Sequence, residues 1–176
     1  MKISLRDFRP DDFEALWRID QECFAPGISY SRADLAAYLR RPRAFALVAE
    51  SSDAHRNTSA GTASQGQSPV LVAGFIVAET NGRGTGHLIT IDVLPQMRRV
   101  GVGSQLLRAA EDRLRTAQCR AAFLETAVDN RSALCFYKVH QYGVMKTIPR
   151  YYSDGVDALV LKKDLLSPPG PAKLRP

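Results

Sequence analysis

The feature that most constrains this fold is a junction between Pro95 and Ser104. An apolar strand pattern, His87 to Leu94, stops at Pro95. Arg98 and Arg99 follow, then Gly101-Val102-Gly103 opens a run whose Leu106, Leu107, Ala110 and Leu114 recur at helical spacing. A second strand pattern, Ala121 to Ala127, comes next. A strand, a crossover helix and a strand predict a parallel pair inside an α/β fold. The junction itself offers glycines for tight turning, unpaired amides at a helix start and two fixed positive charges. That combination suits an anion such as a pyrophosphate. It lacks the third glycine of a dinucleotide fingerprint and the Gly-Lys-Ser/Thr of a P-loop. Taken alone, it is equally a helix start with two solvated arginines.

The flanking segments complete the layout. Residues 1–9 alternate as a first strand, and Pro10-Asp11-Asp12 starts a helix carrying Phe13, Leu16, Trp17 and Asp20. A loop around Pro26-Gly27 leads to a second helix capped by Ser31, with Leu35, Tyr38 and Leu39. Strands follow at Phe45–Ala49 and Val70–Glu79. The segment 51–69 between them is polar and aperiodic, and reads as a flexible loop insertion. The glycine-dense Asn81–Gly86 has no helix after it, which favours a hairpin turn over a phosphate loop. Asp129 or Asn130 caps a helix running to about Gln141, and strands at Val144–Ile148 and Ala158–Leu161 close the domain. The expected order is β-α-α-β-β-β-α-β-α-β-β: a mixed α/β sheet, mostly antiparallel, in one domain over residues 1–166. Residues 167–176 hold four prolines and read as a disordered tail.

Composition narrows the function classes. The 176 residues suit one domain, and a charged fraction of 24% is ordinary for a globular chain. The longest apolar run, Val70 to Ala78, is far short of the roughly 20 residues a membrane span needs. With no secretory pattern at the N-terminus, a soluble cytoplasmic protein is expected. Cys23, Cys119 and Cys135 are odd in number and lack metal-ligand spacing, so buried thiols are expected and no metal. The net charge of +6 suits an anionic ligand. No basic stripe with interleaved aromatics suggests nucleic acid.

Arg98, Gly101 and Gly103 fill the pattern Arg/Gln-x-x-Gly-x-Gly/Ala, and here the chain resembles motif A of the GNAT acetyltransferase superfamily. Leu124-Glu125-Thr126-Ala127-Val128-Asp129-Asn130, Ala133–Lys138 and Tyr142-Gly143-Val144 resemble its motif B. The spacing from Glu125 to Tyr137, and the stretch Arg150–Ala158, are similar to the ribosomal-protein-alanine N-acetyltransferase group. Departures are Thr126-Ala127 in place of Val-Arg, Val144 in place of Phe, and Ile28–Ser31 near a usual Pro-Trp-Ser.

The resemblance implies a GNAT-like fold, its parallel pair splayed around the cofactor and flanked by about four helices. It implies acetyl-coenzyme A (acetyl-CoA) as donor and coenzyme A as product. The pyrophosphate would lie on Arg98, Arg99, Val100, Gly101, Val102, Gly103 and Ser104, and the backbone of Ile91, Asp92 and Val93 would meet the acetyl-pantetheine arm. Asn130 is a helix cap or, by resemblance, a cofactor contact.

Acetyl transfer to an amine needs a deprotonated amine, a polarised carbonyl and a protonated leaving thiolate. Strand alternation turns Glu125 away from Leu124, where a partly desolvated carboxylate can take a proton, directly or through water. The alternative is a strand-end salt bridge. Tyr137, on the helix beside the strands, can protonate the thiolate, or else packs as a core tyrosine with Leu134 and Val144. Tyr30, Tyr151 and Tyr152 line an acceptor groove or simply pack. The implied acceptor is the amino terminus of a protein or peptide, reached by direct transfer in a ternary complex. The alternatives are a small amine, or a silent acyl-CoA sensor. Neither the sequence nor the resemblance fixes an oligomeric state.

Overall fold

The computed structural model describes residues 2–24, 28–52, 71–152 and 154–166. The proposed tail 167–176, and nearly all of the proposed loop 51–69, lie outside the described residues. Ser51 itself belongs to a strand.

The strands are β1 (Ile3–Asp7), β2 (Ala44–Ser51), β3 (Leu71–Thr80), β4 (Thr85–Val93), β5 (Ala121–Ala127), β6 (Gly143–Ile148) and β7 (Ala158–Asp164). The helices are α1 (Phe13–Cys23), α2 (Arg32–Leu39), α3 (Val102–Thr116) and α4 (Arg131–Val139). The order along the chain matches the sequence pattern. The strands form one sheet in the order β1-β2-β3-β4-β5-β7-β6. Its β4–β5 pair is parallel, as the crossover pattern predicts, and its register runs from Thr85↔Ala121 to His87↔Phe123. The pairs β1–β2, β5–β7 and β6–β7 are antiparallel. No helix among the described residues is long and apolar enough to cross a membrane.

The chain divides into two compact units, Met1–Val77 with Thr90–Ala109 and Ala78–Ile89 with Ala110–Pro176. In the first, Arg6 of β1 grips Asp12 with two guanidinium nitrogens at 2.6 and 2.7 Å, and donates to Glu50 of β2 at 2.6 Å. That arginine holds the Asp12 carboxyl below its ordinary pKa. Ser31 caps α2 by accepting from the Asp34 amide at 3.1 Å. Leu16, Leu35, Val48, Phe75 and Leu106 form its core. Each buried side chain of this size is worth about 1.5–3 kcal/mol.

In the second unit, β7 lies between β5 and β6, and pairs with β5 along its whole length. Gly86 leaves room for Leu114 of α3: a Cβ there would lie 2.5 Å from the leucine side chain. Glu111, one helical turn from both Leu107 and Leu114, is buried with them. It accepts from Lys163 Nζ at 2.6 and 2.8 Å and from the Tyr142 hydroxyl at 3.1 Å. A paired and hydrogen-bonded carboxylate tolerates burial that an isolated one does not.

Candidate active site

In the first unit, β4 ends at Val93 and one 3-10 turn, Pro95–Met97, redirects the chain. Arg98 is extended, Arg99 has φ 66° and Gly101 has φ 92°. Positive φ is easy for glycine and unfavourable for arginine, so the loop holds a strained residue at its tip. The amide of Gln105 makes the first turn's bond, to the Gly101 carbonyl at 3.0 Å. The amides of Val102, Gly103 and Ser104 lie ahead of that bond, at the positive end of a 15-residue helix. Arg99 and Val100 are exposed and Val102 is buried. The chain therefore presents amides, glycine and arginine together, the donor set that a pyrophosphate needs.

The space around Gly101 is open, since a Cβ there would meet only Gln105 Nε2, at 3.9 Å. Glycine is required by its φ, not by crowding from the protein. Gly101→Val should therefore fold with a distorted loop and lose acetyl-CoA affinity by at least about tenfold, the effect of one charge-assisted hydrogen bond or more. Isothermal titration of the folded variant checks this, and parent-like affinity would place the cofactor elsewhere.

The β4 end is held from several sides. The Val93 carbonyl accepts from Arg98 Nε at 3.0 Å and from Cys23 Sγ at 3.3 Å. Gly74 of β3 lets β4 approach, because a Cβ there would lie 2.4 Å from the Asp92 carbonyl oxygen. The Asp92 side chain is buried with Thr90 donating at 3.2 Å, so only its backbone can serve a ligand. Burial first, and the Asp20 carboxylate second, push the Asp92 carboxyl well above its ordinary range. Burial raises Asp20 as well. Neither burial was legible in the sequence, where both read as ordinary strand and helix positions.

A stability prediction follows from the raised Asp92 pKa. An acid that binds its proton more tightly when folded loses stability as pH rises from its unfolded pKa, about 3.9, through the folded value. Each pH unit of that raise costs about 1.4 kcal/mol, and each kcal/mol is roughly 2–4 °C in Tm at this size. Asp92→Asn keeps an acceptor for Thr90 and removes the ionisation. Its Tm should match the parent near pH 4 and exceed it by several degrees at pH 8. Parallel Tm curves across that range would contradict the assignment.

In the second unit, the Glu125 side chain is turned away from buried Leu124, as strand alternation predicts. Glu125 Oε2 lies 2.6 Å from His87 Nε2 of β4. Glu79 Oε1 lies 3.7 Å from the other ring nitrogen. His87 is raised, chiefly by its hydrogen bond to Glu125 and against the effect of burial. Glu125 is correspondingly lowered by His87, with Lys146 contributing at longer range. Tyr152 feels the Glu125 charge and is pushed up to about 12, mainly by burial. Its ring packs edge-on against Tyr151 at 5.1 Å. Sequence reasoning missed His87. The only available signal was the parallel pairing, which puts His87 opposite Phe123, two residues before Glu125.

Tyr137 is buried on α4, edge-on to Phe136 at 5.2 Å and Tyr142 at 5.5 Å. Val144, expected to pack with it, is 63% exposed. The Tyr142 hydroxyl donates to Glu111 at 3.1 Å, and burial, then the Glu111 charge, raises that phenol well above its ordinary value. Asn130 caps α4, its Oδ1 accepting from the Ala133 amide at 3.1 Å. The cap reading of Asn130 is therefore seen directly. Tyr30 belongs to the first unit, where its backbone is tied to α1. Cys23 is half-buried and Cys119 buried, but Cys135 is exposed, against expectation. Among the described residues no group of three or more His, Cys, Asp or Glu is placed to hold a metal ion.

Residues 13–142 match the acetyltransferase (GNAT) family. The N-alpha-acetyltransferase of Sulfurisphaera tokodaii is 35% identical over 81 residues, 46% of this chain and 48% of that protein. The chain thus spans about half the length of that relative. Ard1 from Thermoplasma volcanium superposes with a TM-score of 0.77 at 26% identity, over 95% of this chain and 100% of its own. The ribosomal-protein alanine N-acetyltransferase of Escherichia coli shares the fold, with a TM-score of 0.74 at 19% identity over 98% of this chain and 100% of its own. With three-quarters of its length inside the family match and the sheet to go with it, the chain belongs to the acetyltransferase (GNAT) family and is an acyltransferase.

Proposed function

We propose that this chain transfers acetyl from acetyl-CoA to the amino terminus of a protein or peptide, directly and within a ternary complex. The observation that carries the reading is the hydrogen-bonded pair His87 and Glu125 beside Tyr152, which in its neutral-imidazole form is a proton acceptor suited to an ammonium. The likeness to an N-alpha-acetyltransferase and to Ard1 favours a peptide terminus over a small amine. The family match runs through both units, which supports one domain over residues 1–166.

The residues divide the work. Arg98 and Arg99, the glycine turn and the first amides of α3 hold the pyrophosphate, and the backbone of Ile91 to Val93 faces the pantetheine arm. Acetyl-CoA supplies the activated acyl group. Glu125 lends basicity to His87: the carboxylate raises the imidazole, and the neutral imidazole takes the proton from the attacking amine. Tyr137 returns a proton to the departing sulfur. Tyr151 and Tyr152 flank the acceptor. A relay through Cys23 or Cys119 is disfavoured because burial pushes both thiols up, away from the reactive thiolate.

Two measurements test the reading. Acetyl-CoA at millimolar concentration should raise Tm where NADH does not, because a ligand that binds only the native state stabilises it. Coenzyme A release should be faster with peptides bearing a free α-amine than with N-blocked peptides, polyamines or amino sugars. Release with small amines alone would replace the acceptor, and a thermal shift without any release would leave a silent acyl-CoA sensor.

A further inference from the structure

The last turn of α1 carries Asp20, Gln21 and Cys23, and these hold two backbone segments of the first unit: Asp20 and Gln21 hold Tyr30, and Cys23 holds Val93. Asp20 is fully buried. Its Oδ2 accepts from the Tyr30 amide at 2.8 Å and from Gln21 Nε2 at 3.0 Å. The same Gln21 Nε2 donates to the Tyr30 carbonyl at 3.0 Å, and Gln21 Oε1 accepts from the Ser29 hydroxyl at 3.4 Å. Tyr30 is thus gripped at its own N–H and its own C=O. Its ring lies edge-on to Tyr38 of α2 at 5.2 Å. One turn of helix from Asp20, on the same face, Cys23 Sγ reaches the Val93 carbonyl at 3.3 Å.

This grip is expensive for a purely structural tie. Asp20 Oδ1 is buried with no hydrogen-bond partner, and Asp92 is a second buried carboxyl close enough to be raised by it. An unsatisfied buried polar atom destabilises the fold. A serine hydroxyl could accept from the Tyr30 amide with no second oxygen left unpaired. Carrying a costly group where a cheaper one would do points to a functional placement.

We propose that Asp20 and Gln21 are positioning residues for the acceptor: they fix Tyr30, whose ring would meet the incoming amine. The same turn of α1 ties the end of β4, so Tyr30 and the cofactor strand share one anchor. This rests on the reading of Tyr30 as an acceptor residue. The clasp acts on the acceptor and not on the chemistry, so its signature is in KM.

The experiment compares Asp20→Ala, Asp20→Asn and Gln21→Ala with the parent, using whichever amine the parent turns over. Asn keeps an oxygen that accepts from the Tyr30 amide and serves as the rescue. Gln21 is exposed, so its variant keeps the test open where Asp20→Ala fails to fold. Hydrogen exchange at the Tyr30 amide, read without any acceptor, reports the clasp itself. Asp20→Ala should speed that exchange, and both alanine variants should raise the acceptor KM about tenfold with the acetyl-CoA KM unchanged. Asp20→Asn should restore both readouts. Faster exchange with an unchanged acceptor KM, or equal changes in both KM values, would overturn the clasp while the proposed function stands. A parent that turns over no amine would remove the proposed function and, with it, the acceptor role given to Tyr30.

Discussion

Replacing Glu125 with glutamine is expected to lower turnover, by up to the about 100- to 10,000-fold that a positioned base is worth, because the base, His87, loses the carboxylate that raises it. The substitution keeps the side-chain size and its hydrogen bond to His87, so a change in fold is not expected. What it removes is the negative charge that raises the His87 imidazole. The pH profile then carries the sign. In the parent, activity needs neutral His87, so the acid limb of kcat/KM should lie above the ordinary histidine value of about 6.5. In Glu125→Gln that limb should move to lower pH, because the imidazole loses the carboxylate that held its proton. A fall in turnover with the limb unmoved would assign the base to another group. Parent-like turnover would leave the pair as a salt bridge only.

Tyr137→Phe is expected to cost a similar 100- to 10,000-fold in turnover, or roughly 3–5 kcal/mol of transition-state stabilisation. The ring contacts to Phe136 and Tyr142 survive the change, so the fold should persist. The lost proton acts as charge develops on sulfur, so acetyl-CoA affinity should change little and the effect should sit in kcat. Its neighbour supplies the control. The Tyr142 hydroxyl donates a hydrogen bond to Glu111, so Tyr142→Phe should cost stability of order 1 kcal/mol and leave turnover near the parent's. Equal, small effects of both substitutions on turnover would make Tyr137 a core residue like its neighbour, with solvent the remaining proton source.

The fold was legible because local signals agreed along the chain. Pro95, the glycines at 101 and 103 and the stripe Leu106, Leu107, Ala110, Leu114 together mark a strand, a turn and a helix, and the structure has all three. Ser31 and Asn130 announced the two helix starts they cap. A candidate site was legible only where one segment supplies all the groups, as in the loop from Arg98 to Ser104, whose turn and helix start the structure has. His87 was not legible, because its meaning comes from Glu125, 38 residues away across a parallel strand pair. The burial of the Asp20, Asp92 and Glu111 side chains was not legible for the same reason. A charged residue in a periodic segment reads as solvated until the partners that bury it are known. For Glu111 those partners are Lys163 and Tyr142, far apart in sequence.

The central claim is acetyl transfer to an α-amine, and one product analysis tests it directly. A peptide with a free amino terminus and a single internal lysine is incubated with this protein and acetyl-CoA, and tandem mass spectrometry locates the acetyl group. The account predicts acetyl on the α-nitrogen, with coenzyme A released in equal amount and no acetylated protein intermediate. Acetyl on the lysine side chain, or coenzyme A released with the peptide unmodified, would contradict it.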